Sequence, residues 1–259
     1  MVRSEAQATF THTSWSAHTE HVLLYVVAGE LTVEQPRRSC ARPGTLVALP
    51  AGVPHRFQAP APVSFHAVAF CTGCLDLAEH HDLMRPFRRA RSGQLACIPI
   101  PTTRQEAILG HFGDLARFVP RADAVGATLA RSALVLLLGD AYDAADAVPS
   151  AAGPPLVSDA LAYIDEHATR SVSLRDVARA VGRSPGHVAT CVKEATGYTV
   201  GDWITARRLT EAAALLLHTD DGVEAIAGRV GWADRTHFTR LFRRRYGTSP
   251  GAWRRAQRP

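Results

Sequence analysis

The chain has 259 residues, of which 46% are hydrophobic and 20% charged, a balance that excludes a disordered chain and predicts one or two folded domains. Five cysteines are too few, and odd in number, for a secreted disulfide scaffold, and MVRSEAQATF has no apolar core after its arginine, so a cytoplasmic protein is expected. The net charge of +5 resides wholly in residues 151–259, since residues 1–150 balance 13 arginines against 13 acids. A basic rear half on a neutral front half suggests a nucleic-acid module joined to something else. The other reading is a solvated, arginine-rich surface, Lys193 being the only lysine.

Residues 10–100 read as β structure. His21 to Ala28 is a buried strand with Leu31 to Val33 as its hairpin partner, and Thr45 to Leu49 and Val63 to Phe70 are two more. Gly29, Pro43-Gly44, Pro50-Ala51-Gly52 and Pro60 punctuate them, the pattern of a small barrel or sandwich. Two helices follow. Thr103 to Val119 spaces Ile108, Phe112, Leu115 and Phe118 along one side, and Ala124 to Tyr142 carries Leu129, Leu134, Leu137 and Leu138. The longest nearly unbroken apolar run, Ala133 to Leu138, is far short of the roughly 18 residues that cross a bilayer, so no membrane partner is expected. The small residues and prolines at 148–155 predict a linker.

Beyond the linker everything reads as short helices. Leu156 to His167 is the first. Ser173 caps the second with Asp176 as capping-box partner, and Gly182 ends it. Ser184-Pro185 opens the third and Gly197 closes it. Gly201 to His218 is a longer fourth, and Val223 to Val230 the fifth, ended by Gly231. Asp234 caps the sixth, which runs to Tyr246, and Ser249-Pro250 opens a seventh.

These helices repeat. A shift of 49 lays Val177-Ala178, Val181 and Gly182 on Ile226-Ala227, Val230 and Gly231. A shift of 50 lays Val188, Val192, Gly197, Gly201 and Trp203 on Phe238, Phe242, Gly247, Gly251 and Trp253. Each copy reads helix, glycine-containing turn, helix, the arrangement whose second helix enters the major groove of DNA. A solenoid would need about three repeats and caps. After Asp234 there is no acid, while Arg235, Arg240, Arg243, Arg244, Arg245, Arg254, Arg255 and Arg258 follow, which favours DNA.

Residues 156–256 resemble the DNA-binding domain of the AraC/XylS family of transcription regulators. The resemblance rests on Ser173-Leu174-Arg175-Asp176-Val177-Ala178, Ser184-Pro185, Arg208-Leu209 with Ala212 and Leu215-Leu216, and Ile226-Ala227 with Val230-Gly231-Trp232. It continues through His237-Phe238-Thr239-Arg240-Leu241-Phe242-Arg243 and Gly247-Thr248-Ser249-Pro250. It implies two helix-turn-helix units joined by a long helix, here Gly201 to His218, that enter successive major grooves, and RNA polymerase as a further partner. In the sixth helix Phe238, Leu241 and Phe242 are expected inward. Arg235, Thr236, Thr239 and Arg240 are expected to reach base edges, with Arg243 on phosphate. The third helix offers Gly186, Ala189 and Thr190, with Lys193 for phosphate. The family often has large or basic residues there, including an arginine where Thr190 stands.

Gly44 to His55, GTLVALPAGVPH, matches the second cupin motif, with His55 expected at a barrel mouth. The first cupin motif would supply His-x-His and a glutamate, but Ser16, His18 and Leu23 stand at those places, so no metal and no cofactor is expected. His18, Tyr25, His55 and His66 are the polar groups expected around an effector pocket. Cys71-Thr72-Gly73-Cys74 reads as inert thiols, with an oxidant-sensing switch or half a zinc site as alternatives.

The fold class expected is therefore α+β. A cupin-like β-barrel sensor spans residues 1–100, a helical connector for dimerisation 101–147, a linker 148–155 and an all-α AraC-type domain 156–259. The function expected is a homodimeric, effector-responsive regulator that binds double-stranded DNA, its effector a small molecule or a redox signal, and not an enzyme. The rivals are a metal-dependent cupin enzyme with a basic tail, which lacks its metal triad, and an effector-free architectural DNA binder.

Overall fold

The computed structural model describes residues 2–8, 18, 20–35, 37–75, 81–149 and 155–257. The chain divides into two units, Met1–Gly153 and Pro154–Pro259. Residues 150–154 of the expected linker lie outside the described residues.

The first unit holds β1 (Val2–Ala8), β2 (His21–Ala28), β3 (Leu31–Gln35), β4 (Arg37–Ala41), β5 (Thr45–Leu49), β6 (Arg56–Gln58), β7 (Val63–Phe70) and β8 (Cys97–Pro99). They form two antiparallel sheets, in the orders β1-β7-β2-β5-β8 and β4-β3-β6. β2 is apolar along most of its length because its sheet is covered on both faces. Leu24 and Val26 pack between the sheets with Leu31, Val33, Val47, Leu49 and Phe65. Leu23 and Tyr25, pointing the opposite way, pack with Leu46, Ala48, Val68 and Phe70 under helices. β3 alternates instead, Leu31 and Val33 inward, and Glu34 outward to pair with Arg56 of β6.

The expected hairpin between β2 and Leu31–Val33 is corrected by the structure. β2 pairs with β5 and β7, whereas β3 pairs with β4 and β6 in the other sheet. The turn at Gly29, with φ +86°, carries the chain across the edge of the sandwich, and a Cβ there would lie 2.9 Å from the Pro62 carbonyl oxygen. A tight turn between two apolar runs serves either connection, so periodicity alone did not distinguish them.

Between β7 and β8 lie α1 (Thr72–Leu75), a 3-10 turn at Asp82–Met84 and α2 (Arg85–Arg91). Then α3 (Thr102–Phe118) and α4 (Ala124–Ala147) pack as an antiparallel pair on the outer face of the larger sheet. Ile108, Phe112 and Leu115 meet Leu134, Leu137 and Leu138 there. Leu129 of the same helix is exposed together with Val125 and Leu136. By length and composition α4 is long enough to cross a membrane, which counting unbroken apolar residues missed. Its inner face nevertheless belongs to the core of this unit. It also buries Asp140, which pairs with Arg104 and lies 3.2 Å from His111 Nε2.

The second unit is all helical: α5 (Pro155–His167), α6 (Leu174–Ala180), α7 (Pro185–Thr196), α8 (Val200–His218), α9 (Val223–Arg229), α10 (Arg235–Tyr246) and α11 (Pro250–Gln257). The capping box of Ser173 and Asp176 forms as expected, and Thr199 with Asp202 makes a second at the start of α8. Burial marks the repeat. Val188 and Val192 of α7, and Phe238 and Phe242 of α10, are all fully buried, and Gly197 and Gly247 end their helices in the left-handed conformation.

Candidate nucleic-acid interface

The two helices that the repeat aligns as second members of helix-turn-helix units are each opened by a side chain and closed by a glycine. Ser184 Oγ accepts the His187 amide at 3.3 Å at the head of α7. Asp234 accepts the Thr236 amide at 2.7 Å at the head of α10. With Phe238 and Phe242 fixed inward against Trp232, Tyr246 and Trp253, the 3.6-residue period turns the opposite stripe of α10 to solvent. Arg235, Thr236, Arg240 and Arg243 are exposed on it and Thr239 is half-buried, while Leu241 is half-buried against the core. On α7, Gly186, Thr190 and Lys193 are exposed and Ala189 is half-buried.

The arginines after Asp234 do not all serve one surface. Arg240, Arg243, Arg244 and Arg255 are exposed. Arg235 is exposed too, its guanidinium 4.0 Å from Glu224. Arg245 turns inward beside Tyr198 and Tyr246, and burial lowers its pKa. Burial also pushes the Tyr246 hydroxyl up to about 12, and that hydroxyl donates to the Leu209 carbonyl at 3.2 Å. Arg254 donates to the carbonyls of Leu216 and Asp221 at 3.1 and 2.6 Å, closing the end of α8. Arg258 lies outside the described residues.

Two exposed residues were missed. His187 and His237 occupy corresponding places on the first turns of α7 and α10, and the shift of 50 that aligned the apolar residues also aligns them. Cys191 Sγ rests 3.7 Å from His187 Nε2 on α7, one turn further on. Glu194, exposed beside Lys193, adds an acid to the same helix.

In the first unit, the four residues expected around one pocket separate into two pairs. Tyr25 and His66 are cross-strand neighbours on the helix-covered face, with ring centroids 6.5 and 5.5 Å from Phe112. His18 and His55 stand together, centroids 4.8 Å apart, with Phe57 5.2 Å from His55. His55 is fully buried, its Nδ1 3.2 Å from the Val53 carbonyl oxygen, while His18 is exposed. Among the described residues no group of three or more His, Cys, Asp or Glu side chains comes close enough to hold a metal. Cys71 stands in a disulfide, which removes its sulfur as a zinc ligand in this state, and the side chain of Cys74 lies outside the described residues.

A β-sandwich carrying a helical pair, followed by a tandem helix-turn-helix unit with one arginine-rich outward face, defines a two-unit protein of the regulator type. The AraC-like ligand binding domain matches residues 1–138, and a helix-turn-helix domain matches residues 177–256. The chain belongs to the AraC family of transcription regulators.

The regulatory protein PocR of Salmonella typhimurium is 34% identical over 95 residues, 37% of this chain, and the match spans only 31% of PocR itself. The regulatory protein SoxS of Escherichia coli is 32% identical over 99 residues, 38% of this chain and 92% of SoxS. The crystal structure of ToxT from Vibrio cholerae is 8% identical, with a TM-score of 0.50 over 98% of this chain and 96% of that one, a likeness of fold.

Proposed function

We infer that the chain is a sequence-specific DNA-binding regulator, that residues 156–259 bind double-stranded DNA and that residues 1–147 sense an effector and pair two copies. The observation that carries this reading is the outward stripe of α10, Arg235, Thr236, Thr239, Arg240 and Arg243, on a helix fixed by buried Phe238 and Phe242. Arginine suits the guanine edge because its planar fork matches O6 and N7 together, and Arg243 suits a phosphate oxygen. α7 offers smaller groups. Thr190 and Ala189 fit a thymine methyl, and Lys193 a phosphate. The 19 residues of α8 make a rod about 28 Å long. That length is comparable to the roughly 34 Å between successive major grooves on one DNA face.

The exposed residues Val125, Leu129 and Leu136 on α4 support a homodimer formed through the connector rather than a membrane contact. Family membership supports a cytoplasmic location and RNA polymerase as a partner. The test is DNA retardation by the full chain and by segment 156–259 over a salt series. Affinity falling steeply with salt, and a slope reduced by about one in Arg243→Ala, is the expected result. Retardation by segment 1–147 and none by 156–259 would overturn the reading.

The packed interior favours a second reading for the first unit. Leu24, Val26, Leu31, Val33, Val47 and Leu49 fill the space between the sheets, which suits a pairing module without an effector. A thermal-shift screen separates the two, because a ligand that binds the folded state raises its melting temperature.

A further inference from the structure

Arg208 stands where three elements meet. It projects from α8. Its Nε donates to the Ala168 carbonyl at 2.6 Å and its Nη2 to the Arg170 carbonyl at 2.8 Å, at the C-terminal end of α5. Its guanidinium carbon lies 5.6 Å from the centroid of the Trp232 ring. Gly231 closes in beside it: a Cβ there would lie 2.9 Å from Arg208 Cζ and 3.0 Å from the Thr169 carbonyl oxygen. One side chain therefore ties the last turn before the first helix-turn-helix unit to the turn inside the second.

The geometry points to Arg208 as the residue that sets the separation and angle between recognition helices α7 and α10, a positioning residue for DNA reading that touches no DNA. This rests on the DNA-binding reading above. A planar fork held by two carbonyls and flanked by an indole has little freedom to rotate, and a lysine has one donor centre and no plane with which to replace it. DNA demands such a joint. Moving one half-site by one base pair shifts it about 3.4 Å along the axis and turns it by about a tenth of a turn. A pair of helices held at one spacing pays for that displacement with lost contacts, and a loosely joined pair adapts.

Arg254 provides the internal control. It closes the end of α8 on α11 with the same two-carbonyl grip, but its bonds run to Leu216 and Asp221, within the second half alone. Its loss should lower stability without loosening the two halves.

The experiment begins with the full chain and the DNA site it selects from random duplexes. The spacing between half-sites is then lengthened and shortened by one and two base pairs, and affinity is measured for the wild type, Arg208→Ala, Arg208→Lys and Arg254→Ala. Wild type and Arg254→Ala should each lose about tenfold or more per base pair of displacement, the size of one lost base contact. Both Arg208 variants should bind the displaced sites within a few-fold of the selected one. A spacing profile for Arg208→Lys as sharp as that of the wild type overturns the inference, and this milder variant carries the test if Arg208→Ala does not fold. A wild type that selects no sequence overturns the DNA-binding reading itself, and the inference with it.

Discussion

Ser184 and Asp234 do the same work 50 residues apart, each accepting a backbone amide at the head of an outward-facing helix, the His187 amide at 3.3 Å and the Thr236 amide at 2.7 Å. Each satisfies a donor that the first turn leaves without an intrahelical partner. Replacing either by alanine should cost about 1 kcal/mol of stability, read by denaturant unfolding of the full chain. A change below a few tenths of a kcal/mol would show that tertiary packing alone holds these helix ends.

Leu136 and Val125 on α4 are each 58% exposed, and with Leu129 they form an exposed apolar line along the helix. Light scattering should find a dimer at micromolar concentration. Leu136→Glu should shift it to monomer with little change in melting temperature, since the side chain is more than half exposed in the single subunit. A wild type that stays monomeric, with or without DNA, contradicts the pairing.

Cys97 and Cys40 should differ in reactivity. Burial, with Cys40 as a lesser influence, pushes the Cys97 thiol up to about 12, while Cys40 is exposed. The thiolate is the nucleophile, so alkylation at pH 8 should label Cys40 first and reach Cys97 only on unfolding. The raised value also fixes a sign. Its contribution to stability is complete below the thiol's unfolded pKa and is lost as pH rises toward about 12, so the fold should weaken in strong alkali. Equal labelling of both thiols in the native protein contradicts this.

The all-α half was legible in the sequence because its signals are local. Ser173 with Asp176, Pro185 at a first turn and glycines at helix ends each announce a boundary within a few residues, and helical spacing turned Phe238 and Phe242 inward, where the structure buries them with Val188 and Val192, on which the repeat lays them. In the β half the apolar runs of β2, β3, β5 and β7 were legible. β4 reads RRSCA, too polar to announce a strand although it pairs with the adjacent β3, and β6 and β8 have three residues each and pair with strands distant in sequence. The Gly29 turn serves either connection, which is why β3 was read as the partner of β2 rather than of β4 and β6. At the candidate interface, sequence spacing found the outward stripe, but it could not tell that Arg245 and Arg254 turn inward, because tyrosine neighbours and carbonyl partners far along the chain decide that. His18, Tyr25, His55 and His66 looked like one polar set because strand alternation was not carried through β2 and β7, where Tyr25 and His66 face the helices.

The most direct measurement is selection of binding sites from random duplex DNA by the full chain, followed by affinities of Arg240→Ala and Thr190→Ala on the selected site. Arg240 and Thr190 hold corresponding places on α10 and α7, both exposed. Sequence information should concentrate in the half-site under α10. Arg240→Ala should cost about 1–3 kcal/mol and relax one base position, as the loss of a bidentate guanine contact does. Thr190→Ala should cost at most about 1 kcal/mol, the net worth of one hydroxyl bond. Equal information in the two half-sites, or a larger loss from Thr190→Ala than from Arg240→Ala, would contradict reading by the α10 stripe.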